Sequence, residues 1–151
     1  MKKWLRVLAI VATATASSSC AASADGPPEI IVDHTTCAHC GMFVSEPAFA
    51  AAYRTVGGEA RVFDDIGCLL DAVKKEREPR QARFWFHDLQ SAEWIAGEAA
   101  TFVRTAHLHT PMGGSLMAYR DKRQAEDAVS RYHGQVIGGL PELLAQHGGT
   151  R

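Results

Sequence analysis

Ala60-Arg61-Val62-Phe63-Asp64-Asp65-Ile66-Gly67-Cys68-Leu69-Leu70-Asp71-Ala72-Val73-Lys74-Lys75 reads as a strand, a cap and a helix in immediate succession. Ala60–Phe63 is a short β-rich run, and the Asp64-Asp65 pair that ends it can cap a helix. Ile66, Leu69, Leu70 and Val73 then recur at i, i+3, i+4 and i+7, the spacing of one buried helical stripe, and Lys74-Lys75 suits the negative end of the helix dipole. Downstream, Arg83-Phe84-Trp85-Phe86-His87 places aromatic residues on both faces of a strand, which predicts a central position in its sheet. Upstream, Glu29-Ile30-Ile31-Val32-Asp33-His34 is a second β-rich run and leads into Cys37.

The same rhythm returns in the second half. Thr101–Ala106 and Ser115–Tyr119 read as strands, and Asp121 caps a helix with apolar positions at Ala125, Ala128, Val129 and Tyr132. Gly134 is expected to terminate that helix, Gln135-Val136-Ile137 to return as a strand, and Pro141 to open a short closing helix. The chain is therefore expected to be an α+β fold of two tandem β-β-α-β units, about 33–90 and 91–147, within one compact domain over 29–147. The duplication sets Met42 against Met112, so the two methionines are expected to face each other across the pseudo-symmetric interface.

The N-terminal end is an address. Lys2, Lys3 and Arg6 precede an apolar stretch over 7–16, too short to span a bilayer, and small residues follow. Residues 1–19 form an export signal in which Ser17-Ser18-Ser19-Cys20 resembles a lipobox, making Cys20 the lipidated N-terminus; cleavage after residue 24, at Ala22-Ser23-Ala24, is the alternative. Residues 20–28 are then a tether, and the expected location is the periplasm, lipid-anchored to the outer membrane. A chain of 151 residues with 46% hydrophobic and 22% charged side chains is globular, which excludes general disorder. The net charge of −1 falls to about −4 without the signal, which excludes a nucleic-acid binder working through bulk positive charge. Besides Cys20, three cysteines remain, Cys37, Cys40 and Cys68, and one disulfide among them would leave a thiol over.

Cys37-Ala38-His39-Cys40-Gly41-Met42 carries the chemistry, and three readings of it are open. A structural zinc site would use Cys37, Cys40, Cys68 and His39, although no second Cys-x-x-Cys or His pair completes it. A thiol–disulfide oxidoreductase would use Cys37 and Cys40, but Gly41 and Pro47 interrupt the helix such a dithiol should begin. A Cu(I) site would join the Cys40 thiolate to the Met42 thioether two residues on, with Met112 in Thr110-Pro111-Met112-Gly113-Gly114 as third donor, since Cu(I) is soft and accepts two or three such ligands. Cys68, on the apolar side of its helix, reads as a core thiol, and Cys37 is undecided. His34, His87, His133 and His147 read as solvated or structural, whereas His107 and His109, on one face of a strand leading to Met112, are auxiliary donors or surface residues.

The ordered set of these features resembles the NosL family of copper-binding lipoproteins accessory to nitrous-oxide reductase. The set runs from Cys20 through Cys37-x-x-Cys40-Gly41-Met42, Val44 and Pro47–Ala51 to Phe63–Leu70. It continues with His87-Asp88, Trp94-Ile95, Ala99, Thr110–Gly114 and Ala118-Tyr119. The resemblance implies two treble-clef-like β-β-α-β units and a non-catalytic Cu(I) chaperone serving the apo form of nitrous-oxide reductase. It assigns Cys40, Met42 and Met112 as the copper ligands.

Overall fold

The computed structural model describes residues 25–76 and 81–148; the signal segment, Cys20 and the first part of the tether lie outside them. Two antiparallel sheets form, each with one hairpin, one helix and a returning strand. In the first, β1 (Ala51–Arg54) and β2 (Ala60–Phe63) pair as a hairpin, α1 (Ile66–Lys75) follows, and β3 (Arg83–His87) returns beside β1. In the second, β5 (Thr101–Arg104) pairs with β6 (Leu116–Tyr119), α2 (Lys122–Tyr132) follows, and β7 (Gln135–Gly138) returns beside β5. The orders β2-β1-β3 and β6-β5-β7 are the same β-β-α-β topology twice, as the sequence rhythm predicts. A further strand, β4 (Trp94–Ala96), extends the first sheet beyond β3 although it falls in the chain's second half, and α3 (Leu140–Gly148) closes the fold.

The central position of β3 follows from its sequence. Phe84, Trp85 and Phe86 are all buried, so both faces of the strand are covered. Phe86 meets Phe102 of the second sheet edge-on, with ring centroids 4.7 Å apart. The same core takes in Ile66, Leu69 and Leu70 of α1, Leu116 and Ala118 of β6 and Leu143 of α3, so the two units share one interior. Their junction is also hydrogen-bonded. Asp88, after β3, accepts from the Ser91 amide and hydroxyl at 3.1 and 2.9 Å and from the Arg120 amide at 3.1 Å, while the Leu89 amide donates to the Ala118 carbonyl at 3.0 Å.

Four local expectations are corrected. Residues 29–34 form no strand: the Thr35 hydroxyl accepts the Ile31 amide at 2.8 Å, and the His34 and Thr35 amides both donate to the Ile31 carbonyl, so a turn displaces the strand. Ile31 and Val32 are consequently exposed. His107 and His109 do not share a strand face, because β5 stops at Arg104 and Thr105 turns the chain by donating its hydroxyl to the Tyr132 carbonyl. The His107 ring instead meets His133 edge-on at 5.5 Å. His133, not Gly134, takes the left-handed conformation that ends α2, with φ +48°. Gly134 is needed for closeness, since a Cβ there would lie 2.7 Å from the Arg104 carbonyl oxygen.

The fourth correction concerns the methionines. Met42 lies before β1, whereas Met112 lies in the β5–β6 connection, whose counterpart in the first unit is the turn at 55–59. The two residues are not topological equivalents, so any meeting between them must come from tertiary docking and not from the repeat.

Candidate metal centre

The Cys37-x-x-Cys40 segment is a knuckle held by its own backbone. Thr36 and Phe43 pair across it, the Cys37 amide donates to the Met42 carbonyl at 2.7 Å, and the Gly41 amide donates back to the Cys37 carbonyl at 3.0 Å. Gly41 reverses the chain at φ +78°, a conformation that a side chain would strain. The Ala38 amide donates to the Val62 carbonyl at 2.8 Å, which fastens the knuckle to the end of β2. Two residues after β2, Asp65 caps α1, so Cys68 falls in the first helical turn beside the knuckle.

The Sγ atoms of Cys37, Cys40 and Cys68 all lie within 4.8 Å of one another. With metal–sulfur bonds of about 2.3 Å, three sulfurs around one ion in a plane stand roughly 4 Å apart, so the cluster is of metal-binding size. Cys37 and Cys68 are buried, 1% and 4% exposed, while Cys40 is half-buried at the mouth. The thiols differ in acidity. Burial pushes Cys37 up, but the backbone around Cys40, Asp64 and His39 and the Cys40 thiol more than offset this and leave it below the ordinary thiol value. Burial and the neighbouring Cys37 raise Cys40, against the Met42 backbone. Cys68 is pushed strongly up by burial and then by the charges of the other two. Cys37 is therefore the most acidic of the three thiols and Cys68 the least.

The second unit reaches this site through one carboxylate. Asp65, 1% exposed, accepts from the Gly67 amide as the helix cap and from the Thr110 hydroxyl at 2.5 Å. It also takes the Gly114 amide at 3.3 Å and the Met112 amide at 3.4 Å. The approach requires glycine on both sides: a Cβ on Gly114 would lie 2.6 Å from Asp65 Oδ1, and one on Gly67 would lie 3.2 Å from the Gly114 Cα. The loop carrying Met112 is thus pinned over the first turn of α1, the turn that carries Cys68. Beside it Asp64, 2% exposed, is raised by burial against the Ser45 amide that donates to it at 3.2 Å.

Of the residues singled out in the sequence, Cys40 is in the thiol cluster, and Met42 and Met112 sit on the two loops that flank it. Both methionines are exposed, 58% and 43%. His39 is exposed and outside the cluster, so a zinc site lacks a fourth Cys, His or carboxylate ligand among the described residues. Reading Cys68 as a core thiol describes its burial and misses its company. The available signal was its place three residues after an Asp cap, which sets a thiol in the electropositive first turn of a helix. His87 is not solvated: it is 7% exposed, its ring lies 3.9 Å from that of Trp94, and neither ring nitrogen has a hydrogen-bond partner.

The sequence profile of the NosL family matches residues 28–139. Among curated proteins, none matches the sequence. A solved structure, that of the copper chaperone NosL from Shewanella denitrificans, superposes with a TM-score of 0.65 at 20% identity, covering 72% of this chain and 90% of that one, a likeness of fold. The family match spans most of the chain and includes the knuckle, the first turn of α1 and the Met112 loop: the chain belongs to the NosL family.

Proposed function

We propose that this protein is a Cu(I) chaperone holding its cargo between the Cys40 thiolate and the thioethers of Met42 and Met112. The observation that carries the reading is the pairing of a three-thiol cluster with two exposed methionines on the loops beside it. Thioethers are soft, neutral donors that suit a closed-shell monovalent ion, and the exposure of both methionines leaves their sulfurs open to one. Charge favours the same set. One thiolate and two thioethers around Cu(I) sum to zero, whereas three thiolates leave two negative charges beside the buried Asp64 and Asp65. Exposure of the donors also suits release, because an incoming ligand can replace one thioether before the next leaves. The thiol–disulfide reading fits less well: the Cys-x-x-Cys segment is a turn, no helix starts from it, and its more acidic thiol, Cys37, is 1% exposed.

The chaperone is exported, anchored through lipidated Cys20 to the outer membrane on its periplasmic side, and delivers copper to apo nitrous-oxide reductase without catalysis of its own. The charged, apolar and small-residue order of residues 1–20 supports export, and no helix of the described residues is long and apolar enough to cross a membrane. The family to which the chain belongs and the copper-chaperone role of the related Shewanella denitrificans protein support the cargo. The test is anaerobic Cu(I) titration of the reduced protein against a chromophoric chelator. Wild type binds one equivalent, and Cys40→Ser and Met112→Leu weaken it; equal affinity in all three proteins refutes the ligand assignment. Mixing the loaded protein with apo reductase, and following copper by size-exclusion fractions, tests delivery.

A further inference from the structure

A site that depends on one thiolate is inactivated when that thiolate is oxidised, and the Cys-x-x-Cys spacing invites that outcome. The cluster contains a third thiol that the proposed copper site does not use. From this geometry we infer that Cys37 and Cys68 are a disulfide-forming pair that protects the site, so that oxidation of the cluster leaves Cys40 as a free thiol ligand. The inference rests on Cys40 being the copper thiolate, as proposed above.

Three observations carry it. All three sulfurs are within 4.8 Å of one another, so each pair is close enough for exchange. The two cysteines that face away from solvent are Cys37 and Cys68, at 1% and 4% exposure, while Cys40 is half-buried and the one an oxidant meets. Finally, a Cys37–Cys40 bond closes only a four-residue turn already fixed by the Gly41 amide to Cys37 carbonyl bond, whereas a Cys37–Cys68 bond ties the knuckle to α1 and closes the loop 37–68. In the folded chain both sulfurs of a Cys37–Cys68 bond are buried and shielded from outside thiols, whereas a Cys37–Cys40 bond is open to attack at the half-buried Cys40 sulfur, so exchange accumulates the Cys37–Cys68 pairing.

The sequence of bonds balances with a small-molecule disulfide as oxidant. The Cys40 thiolate attacks the oxidant, forming a mixed disulfide and releasing one thiol. The Cys37 thiolate then attacks the Cys40 sulfur, forming Cys37–Cys40 and releasing the second thiol. Cys68 loses its proton to solvent and attacks the Cys37 sulfur, forming Cys37–Cys68 and returning Cys40 as thiolate. Two electrons pass from Cys37 and Cys68 to the oxidant, which leaves as two thiols. The last step is the slow one, since Cys68 is buried in the first turn of α1.

The experiment oxidises the full soluble domain with excess oxidised glutathione, alkylates residual thiols, and maps the linked peptides by mass spectrometry. Copper binding is then titrated without reductant, using the Cu(I)–bicinchoninate complex. The expected result is a Cys37–Cys68 link, alkylation on Cys40, and retention of the Cu(I) equivalent in oxidised wild type. Cys68→Ser and Cys68→Ala should bind Cu(I) when reduced, which also shows that they fold, and lose it on oxidation through a Cys37–Cys40 link. A Cys37–Cys40 or Cys40–Cys68 link in oxidised wild type overturns the inference, as does oxidised Cys68→Ala that still binds copper. Failure of reduced wild type to bind Cu(I) refutes the chaperone reading instead, and the peptide map reports the pairing independently of copper.

Discussion

Asp65 and Asp121 occupy the same place in the two repeats, and replacing each by alanine measures what holds the Met112 loop. Asp121 caps α2 with one bond, to the Arg123 amide at 2.8 Å, from a side chain that is 43% exposed. Its loss costs about 1 kcal/mol, the ordinary value of a helix cap. Asp65 caps α1 in the same way and also accepts from the buried Thr110 hydroxyl and the Gly114 amide. Stranding those two donors adds about 1 kcal/mol each, so Asp65→Ala should cost about 3 kcal/mol. A domain of this size holds on the order of 5–15 kcal/mol, and both variants remain folded at 25 °C. With a urea m-value of about 2 kcal/mol/M the midpoint falls by roughly 1.5 M for Asp65→Ala and roughly 0.5 M for Asp121→Ala. Asp65→Ser separates the two roles: serine retains the cap but is too short to hold the loop, so it should lose about 2 kcal/mol. In Cu(I) competition, Asp65→Ser and Asp65→Ala should bind more weakly than wild type while Asp121→Ala matches it. Equal midpoint shifts for the two alanine variants, or unchanged copper affinity in Asp65→Ser, would show that the carboxylate does not position the loop.

Gly114→Ala should reproduce the Asp65 phenotype from the other side, because its Cβ would meet Asp65 Oδ1 at 2.6 Å; Gly113→Ala, strained at φ +72° but facing open space, should cost about 1 kcal/mol and spare the docking contact, as paired melts and copper titrations would read. Gly134→Ala drives a Cβ against the Arg104 carbonyl and should destabilise by about 1–3 kcal/mol, measured by urea midpoint. His87 is held below its ordinary value of 6.5 by burial. Between the folded and unfolded values the unfolded chain binds the extra proton, so this residue's contribution is complete above pH 6.5 and declines as pH falls, by up to about 1.4 kcal/mol per unit. Because His147 is lowered as well, the readout is the difference from His87→Leu, whose stability should fall less steeply below pH 6.5.

The repeat was legible wherever local signals agreed. Phe63 into Asp65 into Ile66, and Tyr119 into Asp121 into Lys122, each combine a strand, a cap and a helical stripe, and the structure contains both. The alanine-rich β1 carries little strand propensity and is made a strand by its neighbours on either side. Ile30 to Val32 fails in the opposite sense, since strand propensity there loses to a turn closed by a threonine hydroxyl. At the site, Cys40 was legible because its neighbours in sequence share its chemistry. The meeting of Cys68 with Cys37 and Cys40 was not, because it depends on where α1 starts relative to the knuckle, a contact between segments some thirty residues apart.

Comparison of the two repeats explains why a duplicated fold carries an unduplicated site. Three residues after its cap the first unit has Cys68, and the second has Gln124 at the matching place in α2. The hairpin connection is the turn 55–59 in the first unit and the loop 105–115 in the second, long enough to cross to its neighbour and bond Asp65. The first unit thus keeps the sulfurs that need a rigid knuckle and a helix terminus, and the second supplies an arm that one carboxylate holds in place. In the proposed chaperone this separates retention from release. Breaking the few bonds to Asp65 withdraws Met112 and leaves Cys40 and Met42 on an intact knuckle, so a partner can take up the vacated coordination position without unfolding either sheet. A site built from two equivalent halves would have to open both to do the same.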